Sequence, residues 1–422
     1  MKVSRLLIEN FRETKVVNSL KSFGVERKDD EKDLKLEDWL TKIIEDGRVS
    51  ADIVNNCIWD ELMYGHRRYM RVYEIKAIRK IKHDEDWKDF LEKYDCPEMN
   101  FNRIIQTKLQ SNEKLKVCGM QTEYEEDKIK TVHILFVYNM EMYFKSNNSY
   151  GNFNSYIPVT IDLKKKLLIM KIWNKDDANT GDLPREQLDY VLDRLLRKLE
   201  FEIKAISVDP QCVLYKMSRA LFNEFFMHLP NNKDVEDKRQ TLPELIDNLL
   251  DGISLENKEV VDGLKTMNPE VIDIKEELYK LVQQVALYDY LKDNDIKELL
   301  DNTDRYISRI RFSDRDNLTA SLISETGNKC IFDAKTFMCV RNSLDLVAKI
   351  VSIVVSFTDN SGRGLLSVKY DASDRQYLNI HILNTRYYTK EDFEMIWGLY
   401  ERYESDNAEA NALYIEDDAE AM

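Results

Sequence analysis

Leu115-Lys-Val-Cys-Gly-Met120, Ile129-Lys-Thr-Val-His-Ile-Leu-Phe-Val-Tyr138, Tyr156-Ile-Pro-Val-Thr-Ile-Asp-Leu163 and Lys166-Leu-Leu-Ile-Met-Lys-Ile-Trp173 decide the fold. These runs are rich in Val, Ile and Tyr and short enough to be strands. Following one another closely, they predict an antiparallel meander. Within it the hairpin from Ile157 to Trp173 turns at Asp162 to Lys166 and sets Val159, Ile161 and Leu163 against Leu168, Met170 and Ile172. That alternation gives one buried face.

Working outward, residues 1–112 read as mainly helical. Leu34, Leu36, Trp39, Leu40, Ile43 and Ile44 recur at helical spacing, as do Ile58, Trp59, Leu62 and Met63 and then Trp87, Phe90, Leu91 and Tyr94. The sheet and its helices occupy 113–230. Pro184 opens one helix to about Leu199, a strand-like 201–208 follows, and Asp209-Pro210 opens a second helix. Residues 231–304 form an acidic helical connector, whose segment 270–292 carries an apolar stripe suited to a core. Residues 305–403 read as a C-terminal α+β domain with strand candidates at 305–312, 317–324, 350–357, 365–371 and 377–383 and helices at 344–349 and 389–403. The loop Asn360 to Gly364 reads as a hairpin turn. The fold class is therefore multidomain α+β, with a helical N-terminal region, a central antiparallel sheet with helices and the C-terminal domain.

Residues 404–422 hold seven acidic and no basic side chains and read as a disordered tail. Inside it Leu413, Tyr414 and Ile415 make a candidate docking peptide for a partner groove, or an anionic segment that folds back over the basic stretch described below.

Composition narrows the function classes. Hydrophobic residues make 43% and charged residues 33%, and 12 Gly and 7 Pro are few for 422 residues, so collagen-like and low-complexity chains are excluded. The net charge of −15 confines any nucleic-acid contact to a local patch. The opening residues lack the apolar core of a secretory signal, and no apolar run approaches the roughly 18 residues of a membrane span. A soluble cytoplasmic protein is expected. The six cysteines show no CxxC, and the five histidines no metal-ligand spacing. No metal and no cofactor is expected.

The opening Ser4-Arg-Leu-Leu-Ile-Glu-Asn-Phe-Arg12 is similar to the first strand of structural-maintenance-of-chromosomes and RecF-type ATPases. Such an ATPase needs a GxxxxGK[ST] loop to cradle phosphate, and none occurs; nor does GxGxxG. NTPase and dinucleotide readings are excluded on that ground.

The strongest local anomaly is His66 to Lys82. Arg67, Arg68, Arg71, Lys76, Arg79, Lys80 and Lys82 stand there against Glu74 alone, interleaved with Tyr69 and Tyr73. Cations beside ring faces suit phosphates and stacked bases. The stretch could be a helix or a strand, and its burial against an acidic segment would end the nucleic-acid reading. A nuclease of the PD-(D/E)xK type would need two acids to hold Mg²⁺ and a nearby lysine to orient water. Asp60, Glu74 and Lys76 match that spacing, as do Asp193, Glu202 and Lys204. The pentapeptide Glu-Ile-Lys-Ala-Ile occurs twice, at 74–78 and 202–206, with unmatched flanks that point to chance. No nucleophile elbow is present.

Three functions are carried forward. The first is a non-catalytic scaffold subunit of a multiprotein assembly, nucleic-acid-associated through the basic stretch. Bacterial anti-phage or mobile-element systems are the prior for such genes. The others are the Mg²⁺-dependent nuclease and a protein-only interaction module.

Overall fold

The computed structural model describes residues 2–77, 81–110, 112–144, 148–175, 182–237, 244, 274–314, 318–324, 327, 329–333, 335–358, 364–384 and 386–420. The described chain is α+β, and the strand pairs among its described residues are antiparallel. It divides into two compact units. One comprises Met1–Ser207, Asp374–His381 and Tyr387–Ile396; the other comprises Val208–Ser373, Ile382–Arg386 and Trp397–Met422.

The first unit begins with helices α1 (Arg5–Ile8), α2 (Glu13–Ser22), α3 (Leu36–Glu45) and α4 (Ala51–Met63). The opening run that is similar to an ATPase strand is thus helical at its centre. Its apolar residues Leu7, Ile8 and Phe11 follow helical spacing and all three are buried. In α4, Ser50 caps the N-terminus by accepting a hydrogen bond from the Ile53 amide. The chain then enters β1 (Tyr69–Ala77), α5 (Lys88–Lys93), β2 (Phe101–Asn102), β3 (Leu115–Glu125), β4 (Lys128–Phe144), β5 (Ser149–Asp162), β6 (Leu167–Ile172), α6 (Pro184–Leu199) and β7 (Phe201–Lys204). The basic stretch that could be a helix or a strand is therefore a strand over most of its length.

The meander forms as its sequence predicts. β3 to β6 pair in chain order, and in the last hairpin Val159 faces Met170 and Ile161 faces Leu168. Those four side chains are fully buried, on the face covered by Leu188, Val191 and Leu195 of α6 and by Trp87 and Phe90. The turn between β3 and β4 places Glu126 and Asp127 at φ 51° and 61°. Successive positive φ values are what a two-residue hairpin turn needs to follow the twist of its strands. On the opposite face α4 lies over β3, where a Cβ at Gly119 would stand 2.6 Å from the Trp59 ring. Only glycine leaves room for that indole.

β6 continues to β1, and β1 pairs on to β12 (Tyr377–Ile382), with Tyr69 opposite His381 and Tyr73 opposite Tyr377. The strand candidate at 377–383 thus registers against β1 of the first unit. β7 pairs with the end of β1, from Glu74 to Ala77.

The second unit holds α7 (Pro210–Met227), α8 (Ile274–Asp293), α9 (Ile296–Leu300), β8 (Arg305–Asp314), β9 (Leu318–Ile323), α10 (Lys335–Val347), β10 (Ser352–Phe357) and β11 (Leu366–Asp371). Its strands run β9-β8-β10-β11. Phe222 and Phe225 of α7 pack on Phe332, with ring centroids 4.7 Å apart in both pairs. Asp209 caps α7 by accepting from the Gln211 amide. The final helix, α11 (Lys390–Glu420), covers the segment read as an acidic tail, and the side chains of Leu413, Tyr414 and Ile415 lie outside the described residues. So do residues 238–243 and 245–273 of the acidic connector and the loop at 360–363.

Candidate functional site

Strand alternation splits the basic stretch between two faces and buries its strongest cations. Arg71 is 1% exposed. Its Nη1 donates to Asp189 Oδ1 of α6 at 2.6 Å and to Tyr73 Oη at 3.3 Å, and the guanidinium lies 4.7 Å from the centre of the Tyr377 ring. Arg67, just before β1, is 0% exposed. Its guanidinium donates to the carbonyl of Asn10 at 2.6 Å, to Asn10 Oδ1 at 3.3 Å and to the carbonyls of Tyr156 and Glu61 at 3.4 Å. Burial lowers its pKa to about 10. These two guanidiniums hold elements together and present no face to a phosphate. Tyr73 is buried with them, and Tyr69 is half-buried and donates to Asn379 at 2.9 Å.

The rest of the stretch is divided. Arg68 is half-buried and Lys76 exposed, and Arg79 and Lys80 lie outside the described residues. Lys82 is exposed on the rim of a cleft of about 400 Å³ shared with Lys128, Lys130 and Lys164. Lys164 is paired there with Glu125 at 2.9 Å.

The two ExK motifs come together, but as acid against base, so that their carboxylates stay apart. The two Glu-Ile-Lys copies are antiparallel partners: Glu74 faces Lys204, Ile75 faces Ile203 and Lys76 faces Glu202. Read in opposite directions, the tripeptide is complementary to itself, acid to base at both ends. Glu74 is further engaged, accepting from the Ser207 amide at 2.7 Å and from its hydroxyl at 2.6 Å. Asp193 is bonded to Arg197 one turn along α6, at 3.0 Å. Asp60 feels Lys390 and Glu391, and burial raises its pKa. Among the described residues no group of three or more His, Cys, Asp or Glu side chains is placed to hold a metal ion.

A different constellation assembles where β1 begins and β6 ends. The His66 imidazole stacks on Trp173 with centroids 4.4 Å apart and planes at 17°, and meets Tyr387 edge-on at 5.3 Å. Cations lie over the surrounding rings. Arg12 is 4.8 Å and Lys15 5.8 Å from the centre of Tyr387, while Lys175 is 4.0 Å from Trp173 and 3.1 Å from Phe153. Arg12 and Lys15 are exposed; His66, Trp173 and Lys175 are half-buried; Tyr387 is buried beneath them. Each such contact contributes about 0.5–1 kcal/mol at a wet site and more once water is displaced.

The electrostatics of this patch are unusual for an acidic protein. Burial, followed by the charges of Arg67, Arg68, Arg12 and Lys175, pushes His66 down to about 4, so the imidazole is neutral at physiological pH. Burial and Arg67 lower Lys175 to about 7. Burial raises Glu61 to about 7 against the opposing pull of Lys15, Arg67 and Arg12. Glu61 Oε2 and Tyr387 Oη are both buried with no hydrogen-bond partner among the described residues. Between them Gly65, at φ +53°, would place a Cβ 2.5 Å from the Glu61 carbonyl and 2.8 Å from Tyr387 Oη. Both the backbone conformation and the space there require glycine.

Only His66 and the neighbouring arginines gave a signal in the sequence. Arg12, Trp173, Lys175 and Tyr387 are scattered along the chain, and no local pattern joins them. No protein-family model matches the chain, and no curated protein sequence does either.

Proposed function

We propose that this chain is a non-catalytic nucleic-acid-binding subunit of a larger assembly, and that it contacts single-stranded nucleic acid through the Arg12, Lys15, His66, Trp173 and Lys175 patch, which the buried Tyr387 ring supports. The observation that carries the reading is a cluster of cations on aromatic rings: exposed Arg12 and Lys15 over the buried Tyr387 ring, and half-buried Lys175 over half-buried Trp173, on which His66 stacks. Ring faces accept bases of any sequence, and flanking cations accept the phosphates between them. Against a net charge of −15, such a patch also directs a polyanion to one place.

The test is binding of labelled single-stranded DNA and RNA to the purified chain by fluorescence anisotropy across a salt series with Mg²⁺ present, the oligonucleotide then being run on a gel. Salt-sensitive binding without cleavage is expected. Arg12→Ala/Lys15→Ala should weaken it roughly tenfold at 0.1 M salt, and Trp173→Ala by a similar factor through lost stacking. Binding unchanged in both variants would move the interface elsewhere. Mg²⁺-dependent cutting abolished by Glu74→Ala would replace this reading with the nuclease, and no binding at low salt would leave the protein-only interaction module.

A further inference from the structure

A second site lies farther along the sheet of the first unit. Asn139 of β4 and Asn154 of β5 stand directly opposite each other, and Asn152 follows on the same face of β5. Together with α1 and the segment 104–110 they line a cleft of about 260 Å³. Leu7, Ile104 and Ile105 supply apolar walls and are buried, while Lys108 is exposed at the same cleft. Asparagine is a poor strand former, so strand propensity does not account for three of them converging here. Moreover Asn139 Oδ1 is buried without a hydrogen-bond partner among the described residues. An acceptor in that state gains from any ligand that brings it a donor.

Among the described residues no carboxylate lines the cleft, and its one charged lining residue is Lys108. Its volume lies just below that of pockets for drug-sized ligands, which sets the ligand at nucleoside size. A carboxamide presents an acceptor and a donor side by side, the complement of the amino group and ring nitrogen on one edge of adenine. We propose that this cleft binds a purine nucleoside of the adenine type, its exocyclic amine donating to Asn139 and its 5′ end lying towards Lys108. The site is separate from the cation–aromatic patch and does not depend on it.

Isothermal titration of the full chain with adenosine, inosine and adenosine monophosphate tests this. Inosine carries a carbonyl where adenosine carries the amine and has no donor there for Asn139. Saturable adenosine binding at least tenfold tighter than inosine binding is expected, with the difference abolished in Asn139→Ala. Asn152→Ala, at an exposed position, should weaken adenosine several-fold, so that the test survives if the first variant misfolds. Lys108→Ala should weaken the monophosphate and spare adenosine. Absence of saturable adenosine binding at millimolar concentration, equal binding of inosine, or discrimination retained in Asn139→Ala overturns the proposal. Oligonucleotide binding lost in Arg12→Ala/Lys15→Ala would still stand in each of those cases, so the two readings fail separately.

Discussion

Arg67 directs its guanidinium to main-chain and amide oxygens from three separate parts of the first unit, at Asn10, Glu61 and Tyr156. A buried guanidinium so placed is costly to disturb, because those carbonyls lose their donors when it is removed. Arg67→Ala should destabilise the chain by about 3 kcal/mol, measured by urea unfolding, and Arg67→Lys should recover little, since an ammonium lacks the planar fork. Acid sensitivity should come from Glu31, fully enclosed by Arg48 at 2.7 Å, Lys42 at 3.2 Å and the Trp39 indole at 3.1 Å. The hydrogen bond from Arg48, followed by that from the Lys28 amide, lowers its pKa from 4.5 to about 2. A lowered folded-state pKa contributes stability that is complete above the unfolded value and lost as pH falls through the folded one. The stability difference between wild type and Glu31→Gln should therefore shrink as pH falls from 4.5 towards about 2. Lys175 carries the opposite sign in binding. With its pKa lowered to about 7, a phosphate beside it favours the protonated amine, so oligonucleotide affinity should fall as pH rises above 7 and stop doing so in Lys175→Met. His66, already neutral, should itself add no pH dependence to the affinity between pH 5 and 7.

At the scale of elements, the pairing of β1 with β7 turns a repeated tripeptide into a two-strand charge ladder. Opposite charges facing each other across an antiparallel pair contribute about 0.2–1 kcal/mol, and like charges cost a similar amount. Lys76→Glu, placed opposite Glu202, should destabilise by roughly that amount, and adding Glu202→Lys should restore wild-type stability. A double-mutant cycle of unfolding midpoints checks this, and additive effects would show that the pair is not coupled. The individual elements were largely legible. The β3 to β6 strands, α6 from Pro184 and α7 behind its Asp209 cap follow from periodicity and capping residues, because both record local burial and local hydrogen bonding. The opening residues resemble an ATPase strand but form a short helix inside the region read as mainly helical. The strand at 377–383 was recognised as a strand, but its partner was not, since alternation says that one face is buried and nothing about which strand lies beside it.

For the molecule as a whole, the charge of −15 would confine the proposed nucleic-acid binding to a local patch. If Arg12, Lys15 and Lys175 each neutralise one phosphate, log K for single strands should fall with log salt at a slope of about −2, at roughly 0.7 per contact. A slope steeper than about −5 would require a larger basic surface than this patch, such as the lysine-lined cleft beside Lys82. Composition and pattern by themselves determined the α+β class, the meander and its buried face, because each is set by residue type and near-neighbour spacing. Only the tertiary structure decided that Arg67 and Arg71 are interior supports, that the two Glu-Ile-Lys copies face each other, and that Arg12, His66, Trp173 and Tyr387 meet. The reason is physical: whether a cation meets water or a carbonyl depends on elements brought to it from distant parts of the chain, and their approach leaves no mark on its own neighbours in sequence.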